Sequence, residues 1–119
     1  MNKNNPKKIC AIDASTNSLA FAIFNDNTLG SIGKINFNGK TNYEKVMDAC
    51  AKTKAFFEHF DGFEAIVIEH TVFMNSPKTA ADLALVQGAL LGAAGLTGTK
   101  NIGTVHKTAI SNTKVILTG

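Results

Sequence analysis

The chain has 119 residues, a modest charged fraction and a formal net charge of +3, which is enough for one compact core and too short for two lobes. Its composition suggests neither disorder nor a membrane span: the longest apolar run, around Leu90, is broken by Gly88, Gly92 and Gly95 and falls short of the ~20 residues that cross a bilayer. The basic start MNKNNPKK is followed by only four apolar residues before Asp13, too few for a signal peptide, so a cytoplasmic protein with no membrane partner is expected.

The first predicted strand is residues 9–13, and LAFAIFN at 19–25 is the second, joined to it by the turn-prone ASTNS. DNTLG breaks the chain before SIGKINF, where Ile32, Ile35 and Phe37 line a third strand. Three strands with short links predict an antiparallel meander. TNYE has the form of a capping box, Thr41 with Glu44, opening a helix that carries Tyr43, Val46, Met47, Cys50 and Phe57 at helical spacing and ends near FDGF. EAIVIE at 64–69 is the fourth strand, and a second helix is predicted over 79–96 with Leu83, Val86, Leu90 and Leu91 on its apolar side. Glycine inside a helix costs roughly 1 kcal/mol relative to alanine, so Gly88 and Gly92 are expected to permit a close backbone approach. NIGTV is a fifth strand and KTAISNTKVIL a third helix. The order βββαβαβα describes one α/β domain over 1–119: a mixed five-stranded sheet, meander first and then crossover units, with flanking helices.

Cys10 and Cys50 fall within the apolar pattern without CxxC or Cys/His spacing, so free buried thiols are expected rather than a disulfide or a zinc site. All twelve basic residues are lysines, and no acidic residue follows Asp82. The last third is a purely basic segment, consistent with a weak attraction for nucleic acid.

Two acids end two strands. Ile9, Ala11 and Asp13 share one face of the first, and Val67 and Glu69 share one face of the fourth. If these strands pair in parallel, the two carboxylates converge at one sheet edge, where they must share a proton or bind a hard cation. Mg²⁺ is the usual answer, since it takes oxygen ligands and keeps several waters. An acid at a strand end can also be a solvated loop residue or a helix cap.

Three blocks stand out: IDAST with the following LAFAIF, IVIEHTVFMNSPKTAADLALVQGALLGAA, and GTVHKTAISNTKVILTG. They resemble the RuvC-type Holliday junction resolvases, in the phage-like branch of the ribonuclease H-like superfamily. The most specific part runs from Glu69 through Asn75 and Lys78 to Gln87 and Gly88. The resemblance implies a ribonuclease H-like fold and a metal-dependent endonuclease of recombination and repair. Such an enzyme cuts four-way DNA junctions as a symmetric homodimer, with Mg²⁺ or Mn²⁺ as cofactor, in a phage or its bacterial host. Asp13 and Glu69 would be catalytic metal ligands. Lys78, Lys107 and Lys114 would contact phosphates, Asn75 would contact DNA, and Phe73 would stack on unpaired bases or else lie in the core.

The chain also departs from that pattern. Such nucleases carry four acids, the last two on a C-terminal helix, whereas this sequence stops at Gly119 with no late acid. A truncated piece is the favoured explanation; a neighbouring polypeptide could supply the acids, or His70 and His106 could replace them, although imidazole suits Mn²⁺ or Zn²⁺ better than Mg²⁺. Phe73 lies four residues after the strand-four acid, and Ala14 and Ala20 stand where the family often has glycine. Three alternatives stay open: a module that binds branched DNA without cutting it, an actin-like or sugar-kinase-like nucleotide-binding fragment with DASTNS as its phosphate loop, and an RNA-processing relative of the same fold.

Overall fold

Short turns between the first three apolar segments leave them no room for crossovers, whereas a helix-length segment lies between each later pair of strands. The structure, a computed structural model, describes residues 7–71 and 76–107, with the backbone alone for 70, 71 and 105–107. Its elements are β1 (Lys8–Ala14), β2 (Ser18–Asn25), β3 (Thr28–Asn36), α1 (Asn42–His59), β4 (Ala65–Thr71), α2 (Pro77–Gly95) and β5 (Asn101–Lys107). One five-stranded sheet has the order β3-β2-β1-β4-β5. β1 pairs antiparallel with β2 and parallel with β4, β2 pairs antiparallel with β3, and β4 pairs parallel with β5. The predicted mixed α/β sheet is therefore present in the predicted order. The expected third helix, Phe73, Asn75 and Lys114 lie outside the described residues.

The β2–β3 turn is two residues long. Asn25 pairs with Thr28, and Asp26 and Asn27 between them take positive φ of 53° and 68°, the mirror-image turn that matches strand twist and suits Asp and Asn. The third strand consequently starts earlier than predicted, at Thr28.

Both helices cover the same face of the sheet. Cys10, Ile12, Leu19, Ile23, Ile66 and Ile68 join Ala49, Phe56, Phe57, Val86 and Leu90 in one buried cluster. Phe21 points to this side too, its ring centroid 4.7 Å from that of Phe56. The absent side chain of Gly33, opposite Phe21 in the register, makes room: a Cβ there would sit 2.6 Å from the Phe21 ring. Burying each such large apolar side chain contributes roughly 1.5–3 kcal/mol.

The buried side of α1 matches its sequence pattern at Phe57 and at Val46, which packs against the core, and departs from it elsewhere. Ala49, Thr53, Phe56 and Phe57 are buried, whereas Tyr43 is 73% and Met47 65% exposed, and Cys50 is an exposed thiol. Two apolar stripes overlap on this helix, and the Phe21–Phe56–Phe60 stack selects the one carrying more aromatic area. The cap also differs: Thr41 Oγ1 accepts from Glu44 N, but Glu44 Oε1 accepts from Lys40 N instead of closing the reciprocal bond to Thr41.

On α2, Leu83, Val86 and Leu90 are buried as expected. A Cβ on Gly88 or Gly92 would meet nothing within 4 Å, so among the described residues no backbone approaches these glycines. No described helix is long and apolar enough to cross a membrane.

Candidate metal centre

The strand period of two puts Asp13 on the opposite face of β1 from the buried Cys10 and Ile12. Asp13 is exposed and pairs, Cα to Cα, with Glu69 of the parallel neighbour β4. Adjacent strands lie about 4.8 Å apart, so the two acids are side by side on one sheet face at the carboxyl ends of their strands. Ala11, Ala20, Ala22 and Val67 complete a shallow depression of about 240 Å³ around them. Three of those four side chains are single methyl groups, which leaves space above the sheet beside the carboxylates.

The turn that follows Asp13 is tightly held. Ser15 Oγ accepts from the backbone N of Asn17 and of Ser18, at 3.2 and 3.1 Å, and Ser15 N donates to Ser18 O at 2.8 Å. Asn17 then ties this turn to neighbouring elements: its carbonyl accepts from Phe37 N at 2.8 Å, and its Oδ1 accepts from Lys45 Nζ of α1 at 2.6 Å. The backbone that follows Asp13 is thus fixed from Phe37, just beyond β3, and from α1.

Across the sheet the register continues in one row. Asp13 is opposite Ala20 of β2, and Ala20 is opposite Lys34 of β3. Cross-strand partners share a face, so Lys34, Ala20, Asp13 and Glu69 form a line across four strands. Lys34 escapes a reading of the sequence alone because its relation to Asp13 exists only through two strand registers.

His70 and His106 are register partners in β4 and β5, and Lys107 pairs with Thr71; the structure describes only their backbone. Lys78 lies in the first turn of α2, its side chain 83% exposed, and its Nζ is 2.7 Å from Asp82 Oδ2. That ion pair is a solvent-facing i,i+4 contact worth a few tenths of a kcal/mol, so it would yield readily to an anionic ligand.

Two adjacent carboxylates make a hard-oxygen donor set, which suits Mg²⁺ or Mn²⁺ rather than a thiophilic metal. Cys10 cannot join them. It sits on the other face of β1, and burial pushes its thiol up to about 12, with Lys8 opposing only in part. Among the described residues no group of three or more His, Cys, Asp or Glu comes together, so the pair is a partial donor set. A second cavity, about 260 Å³, lies among Phe57, Phe60, Phe63 and Thr97–Thr99, before the starts of β4 and β5. It is at the far edge of the sheet from the two acids.

A profile of the DUF3882 family, described as Lactococcus phage M3 protein, matches residues 6–116. No curated protein matches the sequence significantly. Among solved structures, Thermus thermophilus RuvC in complex with Holliday junction substrate superposes with a TM-score of 0.67 at 17% identity, covering 86% of this chain and 64% of that one. A second T. thermophilus RuvC structure gives a TM-score of 0.63 at 17% identity, with 85% and 63% coverage. Archaeoglobus fulgidus Pelota gives 0.56 at 14% identity, covering 98% of this chain and 31% of that one. The chain therefore has a RuvC-like fold and spans less than two thirds of the length of the RuvC chains it matches.

Proposed function

The chain belongs to the DUF3882 family, described as Lactococcus phage M3 protein, and from the paired acids at its sheet edge we propose that it is the metal-binding part of a structure-selective endonuclease acting on branched DNA, four-way junctions in particular. The register pair Asp13–Glu69, at the carboxyl ends of two parallel strands in a RuvC-like fold, carries this reading. Asp13 and Glu69 would hold a divalent cation, Mg²⁺ or Mn²⁺, which supplies an activated water and stabilises the leaving oxygen of a phosphodiester. The alanine-lined floor beside them keeps the sheet surface low where a phosphate must approach. The turn locked by Ser15 and by the Lys45–Asn17 bond holds Asp13 at fixed height, so that little ordering is left for the moment of binding.

Lys78 at the start of α2 and Lys107 at the end of β5 would contact the DNA backbone, with Lys114, Asn75 and Phe73 completing the junction surface. His70 and His106 form the register pair next after Glu69–Val105, out of step with the acids in the strand period of two, so they are not part of the proposed ligand set. A homodimer would present two such sites to the two strands of a junction.

A second reading rests on a specific observation: among the described residues Asp13 and Glu69 gain no third ligand. On that reading the chain binds branched DNA and does not cut it. One experiment separates the two. A purified, end-labelled synthetic four-way junction is incubated with the chain in Mg²⁺ and in Mn²⁺ beside Asp13→Asn, with binding followed on a native gel. Cuts that vanish in Asp13→Asn support the nuclease; binding without cuts supports the second reading; no junction binding even at low salt overturns both.

A further inference from the structure

The row that contains the two acids also contains a lysine. Lys34 and Asp13 flank Ala20 in the register, all three are exposed, and two strand spacings separate them, roughly 10 Å from Cα to Cα. Only a methyl group stands between. A lysine has a flexible four-carbon stem ending in a compact point charge, and this one can lean along the sheet toward the depression that Asp13 and Glu69 border. Among the described residues Lys34 takes part in neither of the two ion pairs and in no side-chain hydrogen bond, whereas Lys8, Lys45, Lys52 and Lys78 are each engaged by an oxygen of the chain.

Lysine is depleted in strands, so its presence on an open sheet face calls for a reason. One reason is protective: β3 is an edge strand, and edge lysines discourage strand addition by other chains. That role would be served at any outward position along β3. The register gives Lys34 a more particular place, in line with the acids and over the smallest possible intervening side chain.

We propose that Lys34 is a phosphate-binding residue of this same site, holding the backbone phosphate that neighbours the one lying over Asp13 and Glu69, with Ala20 as the floor between them. Successive phosphates along one strand would then lie along the sheet row, from β4 and β1 toward β3. This inference rests on the reading of Asp13 and Glu69 as a phosphodiester site.

The test is the affinity of a fluorescent four-way junction for the wild-type chain and for Lys34→Gln, Lys34→Glu, Lys34→Arg, Ala20→Leu and, as a control beyond the opposite sheet edge, Lys100→Gln. Affinities are measured at several KCl concentrations in EDTA and in Ca²⁺, so that no cleavage is required. Lys34→Gln is expected to weaken binding about 5- to 20-fold at low salt and to lower the slope of log affinity against log salt by about 1. Lys34→Glu weakens it further while leaving the oligomeric state unchanged, Lys34→Arg restores most of it, and Ala20→Leu weakens it without changing any charge. Lys100→Gln changes it by less than about 2-fold. Wild-type affinity and slope in both Lys34→Gln and Lys34→Glu would overturn the assignment while leaving the branched-DNA reading intact. Failure of the wild-type chain itself to bind in either buffer would remove that reading and this inference together.

Discussion

Asp13 of β1 and Glu69 of β4 are register partners in adjacent parallel strands, on the sheet face turned away from both helices. Like charges placed directly opposite one another across strands are destabilising, and a cation between them reverses the sign.

Neutralising one acid therefore separates stability from activity. Without metal, Asp13→Asn should be as stable as wild type or more stable, by up to about 1 kcal/mol. On the proposed reading of the pair as a metal site, wild type should gain stability with Mg²⁺ and the variant should not. Thermal melts in EDTA and across a Mg²⁺ titration check this. On the proposed reading, metal-dependent junction cleavage falls by roughly 100-fold or more in Asp13→Asn and in Glu69→Gln, since even outer-shell changes at metal sites cost 10- to 100-fold.

Gly39 joins the end of β3 to α1 in a backbone conformation of φ +155°, and a Cβ there would lie 2.7 Å from Glu44 Cβ and 2.8 Å from Lys45 N. Lys45 is the residue that holds Asn17 in the turn after Asp13. Gly39→Ala should destabilise the fold by about 1–3 kcal/mol and, on the proposed reading of Asp13 as a metal ligand, weaken divalent-ion binding by shifting Lys45. Urea unfolding together with a metal titration would show both effects; a variant of wild-type stability would contradict the steric argument.

The two cysteines should differ sharply in reactivity. Cys10 is buried and burial raises its thiol to about 12, whereas Cys50 is exposed. The thiolate is the reactive form, so a thiol reagent at pH 8 should modify one cysteine per chain rapidly and the second only after denaturation. In Cys50→Ser the rapid phase should disappear. Above pH ~8.5, where the unfolded thiol begins to ionise, the native state should lose stability steadily until pH reaches the native value.

Asp48 accepts a hydrogen bond from Asn38 N at 2.7 Å and pairs with Lys52 at 2.8 Å; the backbone bond first and the lysine second hold its carboxyl below the usual range. A depressed carboxylate stabilises the native state above the unfolded pKa of about 3.9 and loses that contribution as pH falls through the native value. Wild type should therefore exceed Asp48→Asn in stability at neutral pH. The difference should shrink on acidification below pH ~4, as followed by denaturant melts at stepped pH.

Much of this architecture is legible in the chain itself. Short turns and apolar runs specify the meander, the Thr41 cap marks where the first helix begins, and two strand-ending acids fall side by side once their strands pair; the second helix starts at Pro77 behind a Ser76 cap, two residues earlier than its apolar spacing suggests. Side-chain alternation even fixes which face of β1 carries Asp13, because the strand period is two and admits no drift.

Other features belong to packing. The buried stripe of α1 follows from Phe21, which is distant in sequence and presses on Phe56 and Phe60; periodicity alone leaves Tyr43 and Met47 equally eligible, since a helix can bury either of two overlapping faces. The vacancy at Gly33 has meaning only because β2 brings Phe21 against it. Lys34 becomes a neighbour of the acids only when two separate registers align β3, β2 and β1. Local pattern is a property of consecutive residues and can be read from them. Adjacency across a sheet is decided by which strands pair and in what register, and that choice is made by the whole buried core at once.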